Sequence, residues 1–125
     1  KREVLGIYTE KTPEKNQIFT RGYDKLIKGK RVLIVEDITT TGGSVKKVIE
    51  SVKIADGEIV AVCVLVNRDP DNINSDSIGV PFYALAEIKV KAWDERECPL
   101  CKKGTPINTV VGKGREFLLK KKNSY

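Results

Sequence analysis

Two wholly apolar runs, Val32–Val35 and Ile59–Val66, flank a stripe in which Val45, Val48, Ile49 and Val52 recur at the spacing of one helix face. Unbroken apolar runs suit strands buried on both faces of a parallel sheet, whereas half-exposed strands alternate. Strand, helix and strand in so few residues make a βαβ unit, whose crossover is expected to be right-handed. The fold class expected is therefore α/β, a doubly wound and mostly parallel sheet.

Around this unit the pattern predicts strands at Val4–Tyr8, Ile18–Thr20 and Pro81–Val90, a basic turn at Lys28–Arg31 and a loop over Asn67–Gly79. Gly57, with Asp56 before it, stands where the helix must close. The remainder carries Cys98-Pro99-Leu100-Cys101, three glycines and a lysine tail. It reads as irregular, so a core over residues 1–97 is expected to give way to a tail over 98–125.

Composition then narrows the chemistry. The 125 residues include no His. A Ser-His-Asp triad, a Cys-His dyad and a His-ligated zinc are thereby excluded. What remains is carboxylates, Lys, hydroxyls, backbone amides or a borrowed metal. The net charge of +6, from 23 basic and 17 acidic residues, favours anionic partners. That charge is scattered, clustering only at Lys28–Arg31 and Lys120–Lys122. Nucleic acid is not the expected partner, because only Tyr125 stands beside the lysine tail as a stacking aromatic. No apolar run approaches a bilayer span and no secretory pattern opens the chain, so neither membrane placement nor secretion is expected. Three cysteines, an odd count, give no disulfide framework and point to a reducing, cytoplasmic setting. Cys63 lies within an apolar strand and reads as a core residue. Cys98 and Cys101 form one C-x₂-C, which is half of a four-ligand zinc site, a structural turn, or a reversible disulfide.

The chemistry concentrates in Glu36-Asp37-Ile38-Thr39-Thr40-Thr41-Gly42-Gly43-Ser44, directly after the first aliphatic run. A parallel strand delivers two carboxylates at its carboxyl end, where open α/β sheets bind ligands. The glycines let backbone amides turn inward at a helix start, where the dipole favours an anion. Hydroxyls of Thr39, Thr40, Thr41 and Ser44 add donors. The loop suits one phosphate. It has neither the lysine and spacing of a Walker loop nor the GxGxxG order of a dinucleotide fold. Glu36 and Asp37, as chain neighbours, face opposite ways on a strand, and a turn at the strand end would let both approach a sugar. Phosphate loop plus hydroxyl-binding acids specify a ribose 5-phosphate group. The alternative is a tight connection in which the acids merely cap a helix.

This segment resembles the motif that binds 5-phosphoribosyl 1-pyrophosphate (PRPP) in type I phosphoribosyltransferases, and is most similar to the orotate phosphoribosyltransferase branch. Arg21-Gly22-Tyr23, Lys28-Gly29-Lys30, Asn67-Arg68 and the Cys98–Cys101 segment with Gly104 and Pro106 extend the resemblance over most of the chain. The resemblance implies transfer of the phosphoribosyl group of PRPP to a nucleobase, with Mg²⁺, in a homodimer. It implies that Glu36 and Asp37 contact the ribose hydroxyls and act in catalysis. Ile38 and Thr39 through Ser44 would complete the PRPP site, and Thr40 and Arg68 would meet the base, Arg68 as a fork for the orotate carboxylate. For Arg68 the other reading is a surface ion pair with Asp69 or Asp71. Thr9–Gln17 lies where members carry a mobile loop that touches pyrophosphate, which makes Lys11 the third catalytic candidate, with Lys15 beside it. The chain resembles the carboxyl-terminal two-thirds of such an enzyme, without the hood and first strand. A protein of the same fold that senses PRPP or a nucleotide without catalysis is the competing expectation.

Overall fold

A computed structural model describes residues 3–91 and 93–122. In chain order its elements begin with a two-stranded antiparallel hairpin, β1 (Glu10–Lys11) and β2 (Gln17–Ile18), and a short helix, α1 (Tyr23–Ile27). The βαβ unit follows as β3 (Arg31–Thr39), α2 (Gly43–Ile54) and β4 (Glu58–Asn67). A one-turn helix, α3 (Ser75–Ile78), leads into β5 (Phe82–Glu87). Beyond it come α4 (Pro99–Lys102) and α5 (Gly114–Lys122). The chain divides into two compact units, one ending at Val90 and one beginning at Lys91.

In the first unit β3, β4 and β5 form a parallel sheet in that order, the α/β architecture expected. Val35 is registered with Cys63, Thr39 with Asn67, and Val64 with Ala84. The stripe on α2 explains the packing: Val45, Ile49 and Val52 are buried against Ile34, Val62 and Val64 of the sheet, together with Ile27, Ile73 and Ile78. Burying each such side chain contributes about 1.5–3 kcal/mol before entropy is counted. Val62, on the central strand, is fully buried.

Among the described residues, one face of the sheet is covered in this way. Leu33, Val35, Leu65, Tyr83 and Leu85 are exposed, Leu85 to 84%. Burial of β4 on both faces, expected from its unbroken apolar run, is therefore not found among the described residues. Cys63, expected in the core, is half-buried.

Other local expectations shift for identifiable reasons. Val4–Tyr8 forms no strand; Ile7 packs against the core and Tyr8 meets Tyr23 edge-on, ring centroids 5.5 Å apart. The loop over Asn67–Gly79 contains α3, held by a reciprocal cap in which Asn74 accepts from the Ser77 N–H and Ser77 accepts from the Asn74 N–H. At the end of α2 it is Asp56 that takes the left-handed backbone, at φ 61°. Gly57 serves contact instead, since a Cβ there would lie 2.4 Å from Ile27 Cγ2.

The second unit, expected to be irregular, holds the two helices α4 and α5. Glu116 through Lys122 are good helix formers with only a weak apolar stripe, which hides α5 from a search for amphipathic periodicity. Lys121 and Glu95 form an ion pair in this unit. Tyr125 lies outside the described residues. Among the described residues no helix is long and apolar enough to cross a membrane.

Candidate functional site

The turn from β3 into α2 is built by its own chain. Thr39 is the last residue of β3 and is buried, and its hydroxyl accepts the Gly42 N–H at 3.2 Å. Gly42 occupies the N-cap of α2 with φ 71°, a conformation that an L side chain adopts only with strain. A Cβ at Gly42 would also lie 3.0 Å from Ile78 Cδ1. Among the described residues no side chain caps the helix. The first amides of α2 thus keep the donor capacity that helix starts offer to an anion. Thr40, Thr41, Gly43 and Ser44 are exposed around them. Thr39 and Gly42 shape the loop, while those four stand toward solvent.

Both acids lie inside β3, because the strand continues to Thr39. The alternation of a strand consequently applies to them rather than the relaxation of a turn. Glu36 is half-buried, in phase with buried Ile34, and Asp37 is exposed, in phase with Leu33 and Val35. Asp37 Oδ1 accepts the Ile38 N–H at 2.6 Å. Burial pushes the Glu36 carboxyl above the usual carboxylate range, and the neighbouring Asp37 charge adds to the shift. An acid so placed gains from any hydroxyl donor or cation brought to it.

Arg68 follows β4 and is tied to this turn by backbone: its N–H donates to the Thr39 carbonyl at 2.9 Å, and its own carbonyl accepts from the Val90 N–H at 3.3 Å. The ion pairs considered for it are not formed. Asp71 pairs with Lys89 at 2.8 Å, and both Asp69 oxygens accept from Asn72 Nδ2 at 3.0 Å. Among the described residues Arg68 makes no ion pair. Asn67 is the residue whose task the sequence reading missed. It is buried, its Nδ2 donates to the Ile73 carbonyl at 2.8 Å and its Oδ1 accepts the Asp69 N–H at 3.1 Å. The available signal was an amide ending an otherwise aliphatic strand, since buried polar groups are normally hydrogen-bonded.

Lys11 lies on the exposed side of β1, in a hairpin fastened along α2 by Ser51 donating to the Gln17 carbonyl and Lys47 donating to that of Lys15. Among the described residues no hydrogen bond or ion pair joins Lys11 to residues 36–44. Cys98 and Cys101 belong to the second unit. No group of three or more His, Cys, Asp or Glu side chains that could hold a metal occurs among the described residues.

The phosphoribosyl transferase domain family model matches residues 8–95. The chain is 46% identical over 104 residues to the orotate phosphoribosyltransferase of Caldanaerobacter subterraneus subsp. tengcongensis, covering 83% of this chain and 52% of that one. It is 41% identical over 103 residues to the orotate phosphoribosyltransferase of Heliobacterium modesticaldum, covering 82% and 51%. The crystal structure of Mycobacterium tuberculosis orotate phosphoribosyltransferase with inorganic phosphate is 31% identical, with a TM-score of 0.45 over 50% of this chain and 38% of that one. The chain spans about half the length of the curated relatives it matches.

Proposed function

The chain belongs to the phosphoribosyltransferase family, and from that premise we propose that it binds PRPP and takes part in transfer of its phosphoribosyl group to orotate. The products would be a nucleoside 5′-monophosphate and pyrophosphate. The observation that carries this reading is the end of β3, where two carboxylates precede an uncapped helix start and the Arg68 backbone bonds to Thr39. Relatives named orotate phosphoribosyltransferase, aligned over most of the chain, support the choice of base.

In this proposal the amides and hydroxyls of Thr40 through Ser44 hold the 5′-phosphate, with the α2 dipole behind them. Glu36 and Asp37 accept from the ribose hydroxyls, which requires the end of β3 to turn so that both carboxylates reach one sugar. As pyrophosphate departs, positive charge develops on the ribose, and the carboxylates stabilise it, Glu36 from a half-buried position. Arg68 receives the carboxylate of orotate through its planar fork, and Thr40 stands at the base end of the loop. Lys11, on the exposed side of the hairpin, is the candidate for contact with pyrophosphate. Mg²⁺ commonly takes one or two carboxylates together with substrate phosphates, and exposed Asp37 would be the carboxylate available to it here. Mg²⁺ would neutralise charge on the leaving diphosphate. The proposal includes a homodimer, in which a second copy supplies leaving-group contacts.

Thermal unfolding with and without PRPP and Mg²⁺ tests the reading. A ligand held only by the native state stabilises it by about 2.7 kcal/mol at a hundredfold excess over its Kd. A clear rise in Tm that Asp37→Asn largely removes is expected, together with consumption of orotate. An unchanged Tm would refute the PRPP site, and a rise without turnover would favour the non-catalytic sensor.

A further inference from the structure

Cysteine is among the residue types most often buried, so two of them together at a surface are not explained by packing. Cys98 is half-exposed and Cys101 exposed. They bracket the start of α4, where Cys98 is the N-cap and Pro99 opens the first turn. The sulfur of Cys98 accepts the backbone N–H of Cys101 at 3.5 Å. The Cα of Cys101 is one bond beyond that nitrogen, so its side chain grows from a point within about 5 Å of the Cys98 sulfur.

We propose that Cys98 and Cys101 are a redox-active dithiol that reacts with small-molecule disulfides and closes reversibly into an intramolecular disulfide. Cys98 is the attacking sulfur and Cys101 the resolving one. The Cys98 thiolate attacks one sulfur of the small disulfide, whose S–S bond breaks and releases one thiolate. This leaves Cys98 in a mixed disulfide. Cys101 then loses its proton to solvent, and its sulfur attacks Cys98 Sγ, expelling the second small thiolate. Two protein thiols are oxidised by two electrons, and the small disulfide is reduced to two thiols that take up the two protons.

The local electrostatics divide the two roles in the same order. The Cys101 backbone N–H lowers the Cys98 thiol below its ordinary range by stabilising the thiolate. Cys101 is raised, chiefly because its S–H donates to the Cys98 sulfur, with burial and the nearby Cys98 and Glu95 charges adding and Lys121 opposing. A metal site would need further ligands, and among the described residues no third Cys, His, Asp or Glu gathers with the pair.

The test uses the full chain, reduced and then exposed to oxidised glutathione, with intact-mass and peptide analysis over time. Wild type should lose two hydrogen atoms in mass without retaining glutathione, and a reducing agent should reverse the change. Cys101→Ser, lacking the resolving sulfur, should accumulate glutathione on Cys98. Cys98→Ser should react on the order of tenfold more slowly. Both positions are at the surface, so neither variant threatens the fold, and Cys63 is the internal reference. Retention of glutathione by wild type would overturn the proposal. So would equal rates at Cys98 and Cys63, or a stoichiometric zinc ion whose removal is needed before the thiols react.

Discussion

The backbone N–H of Arg68 donates to the carbonyl of Thr39 at 2.9 Å, which hangs the side chain assigned to the base from the strand end that starts the phosphate loop. Two substitutions separate what the backbone and the side chain do there. Arg68→Ala keeps the donor and should change stability by less than about 0.5 kcal/mol. It should nevertheless abolish use of orotate. Arg68→Pro removes the donor, leaves the Thr39 carbonyl without it, and should cost about 1–3 kcal/mol. Urea unfolding alongside an orotate-consumption assay reads both. Equal stability of the two variants would show that this bond holds nothing.

Asn67 fastens the following loop through Ile73 and Asp69. Asn67→Ala should lower stability by about 1–3 kcal/mol, because a buried carbonyl and N–H lose their partners together. Weaker discrimination in favour of orotate should accompany the loss, since the chain on either side of Arg68 is then less fixed. Denaturant midpoints and the ratio of turnover on orotate and uracil check the two halves.

Gly57 and Gly42 should fail differently when replaced by Ala. At Gly57 the new methyl meets Ile27 and Val52 in the core, and overpacking of this kind costs about 1–3 kcal/mol. PRPP affinity of the molecules that remain folded should be unchanged. At Gly42 the positive φ and the contact with Ile78 distort the start of α2 itself. Gly42→Ala should therefore weaken binding of ribose 5-phosphate compounds more than its loss of stability accounts for. Calorimetric titration on both variants, corrected for the folded fraction, distinguishes them.

Glu36 gives a pH dependence with a definite sign. Its carboxyl is raised in the folded chain by burial and by Asp37, so the native state holds this proton more tightly than the unfolded one. Stability should then fall as pH rises through the interval just above the ordinary carboxylate range. Glu36→Gln should remove that fall and raise Tm at neutral pH in the absence of ligand, while weakening PRPP binding. Unfolding midpoints of both proteins across that interval provide the check. Parallel curves would mean that the ionised carboxylate costs the fold nothing.

The βαβ unit and the loop between its halves were legible because each rests on local pattern. The Val45-Ile49-Val52 stripe can be satisfied only by burial, and Gly42 is needed for a positive φ that few other residues accept. What the pattern did not disclose depends on contacts distant in sequence. The Gly57 backbone is selected by Ile27, thirty residues earlier, rather than by the turn in which it sits. The apolar run of β4 says that both sides of the strand are greasy but not what lies on each. The latch of Asn67 depends on where the carbonyl of Ile73 comes to rest, and that position is set by α3 and its cap. Lys11 was a choice by position along the chain, and the hairpin that carries it is placed by hydrogen bonds from α2 that no spacing rule contains.

The sheet that shows Leu33, Val35, Leu65, Tyr83 and Leu85 to solvent has a calorimetric consequence. Heat capacity of unfolding follows newly hydrated apolar surface, and those side chains are hydrated before unfolding begins. The increment per residue should fall below the roughly 12–15 cal/mol/K that globular chains show. A smaller increment flattens the curve of stability against temperature. A dilute chain of this kind would lose little stability on cooling.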